Sequence, residues 1–243
     1  AGKRVAVLYR GHSTRSMKST FDRTRPGLEN QDFVFDFRDV WRSHTDMVLD
    51  PLVAAGADVD VYACLHSVPA LNNHVLQMLR PVKYHFETDP TKLQGAQVAT
   101  GIALIEPENY DLVVVLRLDL LLKKPITEWN MDFSKLNLPF RSINDQPDYC
   151  TCLVADAAFA FPPRLATRVI SSCGPAHGSC HGLGETFTDV HLVASDQCYN
   201  TNTGVVMDAL HTAKNPLYVL YGRPYDYDDA PIRHTPGALL AAA

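Results

Sequence analysis

The chain has 243 residues, with 22 Lys+Arg against 27 Asp+Glu and a formal charge of −5. Hydrophobic residues make up 46% and charged residues 20%, which is enough apolar material for a folded core and argues against intrinsic disorder. The mild acidity argues against a nucleic-acid partner, and no run of 18 apolar residues is present to form a transmembrane segment.

Arg4–Tyr9 is a short apolar run that reads as a buried first strand, followed by the loop Arg10-Gly11-His12-Ser13. Residues 13–32 are polar and basic and read as a long excursion. A helix is predicted from about Val40 to Ala55, stopped near Gly56. Asp58–Leu65 alternates and is a second strand. Pro69–Arg80 is a helix with proline in its first turn. Val82–Phe86 is a third strand, and Thr91–Ile105 a long helix.

The strongest strand is Leu112–Leu121, apolar on both faces at first, as expected in the middle of a parallel sheet covered by helices. After Lys123-Lys124-Pro125 the pattern changes. Extended pieces are predicted near 137–141 and 149–161, and helices near 164–172 and 186–194. The expected fold is α/β: a Rossmann-type, mostly parallel central sheet flanked by helices, with a mixed C-terminal region. One domain is expected, with a ligand-binding half over about 4–125 and a second half over about 126–235.

The ends, Ala1-Gly2 and Ala241-Ala242-Ala243, read as cloning remnants. Cysteines stand at 64, 150, 152, 173, 180 and 198, far too sparse for a disulfide scaffold, so reduced thiols are expected. Cys173 and Cys180 flank a Gly/His-rich loop and are the best disulfide or metal pair. A cytoplasmic location is favoured, and the oligomeric state stays open.

Ligands in an open α/β sheet collect just beyond the carboxyl ends of its strands. Arg117 and Asp119 lie there, two residues apart, so an extended backbone projects both to one face. A carboxylate can hold a divalent cation and a guanidinium can grip phosphate. The same two residues can equally close the strand as an internal ion pair.

Arg117-Leu-Asp119, preceded by Tyr110-Asp111 and five apolar residues and followed by Lys124-Pro125, resembles a variant D-x-D motif of GT-A-fold glycosyltransferases. The resemblance is greatest to the small nucleotide-sugar transferases of large algal DNA viruses and their bacterial and algal relatives. Arg10-Gly11-His12 resembles that group's opening loop. The segment from Asp36 and Arg38 through Ser43-His44 resembles its next helix, and Gln94–Ile105 its helix ahead of the motif. The similarity covers about residues 4–125, with arginine replacing the first acidic residue.

The resemblance implies a GT-A-like fold and sugar transfer from a nucleoside diphosphate, UDP-linked by expectation, to a glycan or other hydroxyl acceptor. It implies Mn²⁺ or Mg²⁺ at Asp119, and nucleotide contacts from Arg10, His12, Arg38, Gln97, Arg117 and Asp119. A host-cell cytoplasm would be the setting of a viral enzyme. If the reaction inverts the anomeric centre, a carboxylate must deprotonate the acceptor. Glu185 and Asp189 are favoured because they flank the Gly/His loop at one helix turn's spacing, with Asp156 and Asp196 as further candidates. His181 or His191 could complete a metal shell. The tyrosines and aspartates of 218–229 could stack on a sugar or form a terminal strand and surface loop. Two rivals are a nucleotide- or glycan-binding module without catalysis and a metal-assisted phosphohydrolase built on Asp119.

Overall fold

The computed structural model describes residues 2–17, 33–89, 92, 94–139, 142–143, 157–173, 183, 186–187, 189–193, 199–200 and 217–220. The first strand, β1 (Arg4–Gly11), is buried over Val5–Arg10, as its apolar run requires. Two short strands, β2 (Thr14–Met17) and β3 (Phe33–Asp36), pair antiparallel. A helical run follows, made of α1 (Trp41–His44), a π-helical stretch (Thr45–Leu49) and α2 (Asp50–Ala54). Gly56, at φ 80°, ends it in the left-handed conformation that glycine adopts most readily.

Next come β4 (Asp58–His66), α3 (Pro69–Leu79), β5 (Lys83–Glu87) and α4 (Gln94–Leu104). The central strand β6 (Leu112–Arg117) is completely buried. Beyond it lie β7 (Leu120–Leu122), β8 (Leu136–Leu138), β9 (Ser142–Ile143), β10 (Ala158–Phe161) and α5 (Ala166–Ser172). The last strands are β11 (Val190–Leu192), β12 (Tyr199–Asn200) and β13 (Tyr218–Leu220).

Seven strands form the main sheet in the order β11-β8-β10-β6-β1-β4-β5. All its pairings are parallel except those of β10, which runs against both β6 and β8. The architecture is therefore the expected α/β one, a mostly parallel Rossmann-like sheet flanked by helices. From β1 the chain builds outward through β4 and β5, then returns to place β6 on the other side of β1. That reversal opens a crevice at the carboxyl ends of β1 and β6, where ligands of open α/β sheets bind.

Alternation along β1 and β6 serves two cores. Val5, Val7, Tyr9, Val114 and Leu116 pack with Val40, Val48, Leu52, Val75 and Leu79 on one face. Ala6, Leu8, Val113 and Val115 pack with Val98, Ile102 and Val169 on the other. On that second face Gly101 lets α4 lie close to the sheet. A Cβ there would stand 2.7 Å from Leu8 Cδ2 and 3.1 Å from Cys64 Cβ. The Leu8 tip can rotate away, but Cys64 Cβ is fixed to its strand. Gly101→Ala should therefore lower stability by about 1–2 kcal/mol, overpacking outweighing the helix propensity gained. A urea midpoint equal to or above wild type would contradict this packing.

Two expectations are corrected. Leu112–Leu121 is not one strand: the chain turns at Leu118–Asp119, and β7 leaves the main sheet to pair antiparallel with β13. The break falls where charged side chains interrupt the apolar run. The helix expected near 186–194 is also absent over Val190–Leu192, which is β11 and pairs with β8 in register. A short stretch containing Val190 and Leu192 extends the sheet there instead of winding. The pieces proposed near 149–156, and the tail beyond Leu220, lie outside the described residues.

Candidate functional site

The crevice is built first from strand register. Arg10 of β1 lies directly beside Arg117 of β6 and, on its other side, beside Cys64 of β4. Neighbouring strands run about 4.8 Å apart, so two guanidinium side chains leave adjacent backbones at one level. Alternation sends both toward the α4 face, with Leu8 and Val115 two residues earlier. The end of β6 is fixed on both sides: Arg117 N–H donates to the Ala157 carbonyl at 2.9 Å, and Leu118 N–H to the Arg10 carbonyl at 3.0 Å.

Arg10 is fully buried and donates from Nη1 to Gln94 Oε1 at 3.2 Å, at the start of α4. Gln97, three residues on, shares that helix face and is 1% exposed. Its amide nitrogen and oxygen make no hydrogen bond among the described residues. It sits one turn before Gly101, which lies on Leu8 and Cys64, and so at the level of the strand ends.

Arg117 and Asp119 form the buried ion pair that was one of the two readings of their spacing. Nε donates to Oδ1 at 2.8 Å and Nη2 to Oδ2, a fork-to-carboxylate grip with side chains only 8% and 11% exposed. A divalent cation is implied by the family resemblance, and the donor set at this point does not fit one. Both Asp119 oxygens already accept from Arg117. Among the described residues, no group of three or more His, Cys, Asp or Glu is placed to hold a metal ion.

The other face of the turn is lined by Ser43 and His44 of α1. His44 is fully buried, with its ring 5.2 Å from that of Tyr9 and stacked at 6.2 Å on Trp41. Burial pushes its imidazole down to about 4, partly offset by the backbone of Leu118 and Leu120 and by the Asp119 carboxylate. The ring nitrogens approach those backbone groups without a hydrogen bond of normal geometry. Ser43 Oγ accepts from Leu122 N–H at 3.1 Å and donates to the Val40 carbonyl at 2.8 Å. Helix and turn are thereby clasped together. A π-helical stretch starts at Thr45, a distortion that recurs at functional sites. Burial also raises the Tyr9 phenol and keeps it protonated.

His12 stacks on His66, at the end of β4, with centroids 4.0 Å apart and an interplanar angle of 17°. Gly11, between Arg10 and His12, has φ 104°, a turn that an L side chain would strain. Arg38 is exposed and closes on Asp36, Nε donating to Oδ1 at 2.9 Å and to Oδ2 at 3.0 Å. Phe37 N–H donates to the Ser13 carbonyl at 2.9 Å, which brings this pair beside the loop after β1. At the end of β5, Glu87 accepts from Lys92 Nζ at 2.8 Å, and this contact above all lowers its carboxyl to about 2.

The sheet thus brings Arg10, His12, Gln97, Arg117 and Asp119 to one edge, with Arg38 beside it. Asp189 is not there. Val190 aligns with Leu136, and through Ala160 this strand level corresponds to Val113 at the amino end of β6. Asp189 is therefore about five residues, roughly 16 Å, back along the strands from Arg117 and three strands across. It is exposed and paired with Lys135 Nζ at 2.8 Å, and it precedes a strand rather than riding a helix. His191 is likewise engaged elsewhere, Nε2 lying 2.7 Å from the Asn130 carbonyl. Glu185, Asp156, Asp196, His177, Cys180 and His181 lie outside the described residues. Cys64 is a buried thiol, pushed up to about 12 by burial, and Cys173 is buried at the end of α5.

No family model matches the chain, and no curated protein matches it. Among solved structures, it is similar to HddC from Yersinia pseudotuberculosis, with 14% identity, 94% of this chain, 97% of that one and a TM-score of 0.48. HddC complexed with GMP-PN aligns at 12% identity over the same shares, with a TM-score of 0.42. The glycosyltransferase GlyE of Streptococcus pneumoniae TIGR4 aligns at 11% identity over 79% of this chain and 45% of its own length, with a TM-score of 0.42.

Proposed function

We propose that the protein is a glycosyltransferase of the GT-A-like kind, moving a sugar from a nucleoside diphosphate, UDP-linked in the first instance, to a hydroxyl-bearing acceptor. The observation that carries this reading is the register of Arg10 and Arg117 at the switch crevice between β1 and β6. Two guanidinium groups at the level where an open α/β sheet receives ligands form an anion site, and a diphosphate matches their paired donors.

In the reaction, the bond from the sugar's anomeric carbon to the diphosphate oxygen breaks, its electron pair leaving with the diphosphate. The acceptor oxygen forms the new bond to that carbon and loses its proton. Negative charge accumulates on the departing diphosphate, and prearranged cations stabilise it most where water is excluded. The 0% and 7% exposure of Arg10 and Arg117 supplies that exclusion. The stacked His12 and His66 offer a flat surface beside the phosphates suited to a nucleobase. Gln97 brings an amide whose donor and acceptor have no hydrogen-bond partner among the described residues. For the base that takes the acceptor's proton, Glu185 is preferred to Asp189, given the latter's place at the far end of the strands.

Calorimetry with UDP, GDP and inorganic phosphate, followed by assay of UDP release from a panel of UDP-sugars, tests the reading. Micromolar binding of one nucleoside diphosphate, with phosphate binding far weaker, is expected. Failure of every nucleotide to bind would overturn the proposal, and phosphate release from simple phosphoesters would redirect it to a hydrolase.

A further inference from the structure

Resting on that reading, we infer that the guanidinium of Arg117, aimed by Asp119 and seconded by Arg10, does the charge-neutralising work for the donor diphosphate, so that binding and cleavage need no divalent cation. The case is geometric. Asp119 is the one acidic residue of the R-x-D segment, and its two oxygens are turned inward onto Nε and Nη2 of Arg117. A cation bound there would have to displace a bidentate, buried guanidinium and would then lie against the positive charges of Arg117 and Arg10. The same pairing suits a different task. It fixes the rotamer of Arg117 next to a second guanidinium in register on β1. Gln94 steadies that neighbour at 3.2 Å. Prepaid orientation of this kind lets a guanidinium meet phosphate oxygens through several parallel donors, which the point charge of an ammonium cannot do.

The groups facing the pair agree with a fixed cation rather than an exchangeable one. His44, on the opposite side of the Leu118–Asp119 turn, is buried among rings and adds no second carboxylate. When the glycosidic bond breaks, the electron pair on the departing oxygen is met by Arg117 and Arg10, with no proton required from either.

The test is titration of the wild-type protein with UDP in EDTA and again in Mn²⁺. Affinities within about threefold of each other are expected. Affinity that rises more than tenfold with Mn²⁺ would overturn the inference while leaving the nucleotide reading intact. No binding of any nucleoside diphosphate in either buffer would overturn both. Arg117→Lys keeps a charge beside Asp119 but loses the fork, and should weaken UDP binding in EDTA by about tenfold to a hundredfold. The double change Arg117→Met with Asp119→Leu removes the buried pair as a unit, so folding is retained, and should lose at least as much affinity. Wild-type affinity in either variant, with a normal unfolding transition, would exclude Arg117 from the role.

Discussion

Asp119→Leu should lower stability by about 3–5 kcal/mol, whereas the same change combined with Arg117→Met should return close to the wild-type value. The difference follows from what each variant leaves behind. Wild-type Arg117 and Asp119 are almost fully enclosed and satisfy each other through two hydrogen bonds. Removing the carboxylate alone takes the bidentate partner from a guanidinium that is 7% exposed and lies in register with the buried Arg10. Removing both partners takes the two charges away together, so neither is left buried without the other. A buried pair is therefore costly to break and cheap to delete, the signature that separates it from an exposed salt bridge. Urea unfolding of the wild type, the two single variants Asp119→Leu and Arg117→Met, and the double variant, with unchanged slopes, reads the cycle directly. Equal destabilisation of the single and double variants would show that the pair is not desolvated as described.

The N-terminal half of the fold was legible because its signals are local and strong. Val5–Tyr9 and Leu112–Leu116 are unbroken apolar runs, and the helix-period stretches between them are too polar on one face to be strands. Gly56 and Pro69 mark helix ends by backbone chemistry that depends on no distant partner. The break at Leu118–Asp119 was not legible in the same way. A run of leucines on either side of Asp119 reads as continuous strand, and only β13, about a hundred residues later, draws β7 out of the main sheet. Val190–Leu192 failed similarly, since three residues carry no decisive period and their strand character comes from lying beside β8.

The site divides along the same line. The i,i+2 spacing of Arg117 and Asp119 revealed a shared face, but two outcomes were consistent with it, and the choice needed the turn that folds one side chain onto the other. Arg10 reads as a loop cation because Gly11 follows it; register with Cys64 and Arg117 is what makes it a buried strand residue. Gln97 and His44 look like ordinary helical polar residues until the packing of each helix on the sheet is known. Asp189 shows the reverse case. Its nearness to the Gly/His loop in sequence suggested the site, and the chain of registers β6-β10-β8-β11 carries it to the opposite end of the strands.

His44 gives the protein an acid-sensitive element of predictable size. Enclosure between Tyr9 and Trp41 excludes water, and this desolvation brings the imidazole from its ordinary 6.5 down to about 4. The unfolded chain therefore takes up the proton more readily than the native one. The sign follows: the contribution is present in full above pH 6.5 and is lost progressively as pH falls toward 4, where the native ring at last protonates. A shift from 6.5 to about 4 corresponds to about 3 kcal/mol across that window. His44→Phe keeps a flat ring between its neighbours and removes the titration. Stability of the wild type minus that of His44→Phe, measured by urea unfolding from pH 7.5 to 4, should fall by about that amount, steepest between pH 6 and 4.5. Carboxylates and other histidines cancel in this difference, because both proteins carry them. A flat difference would mean that the ring is solvated in the native state, and with it that the Asp119 turn is not sealed from below by the helix.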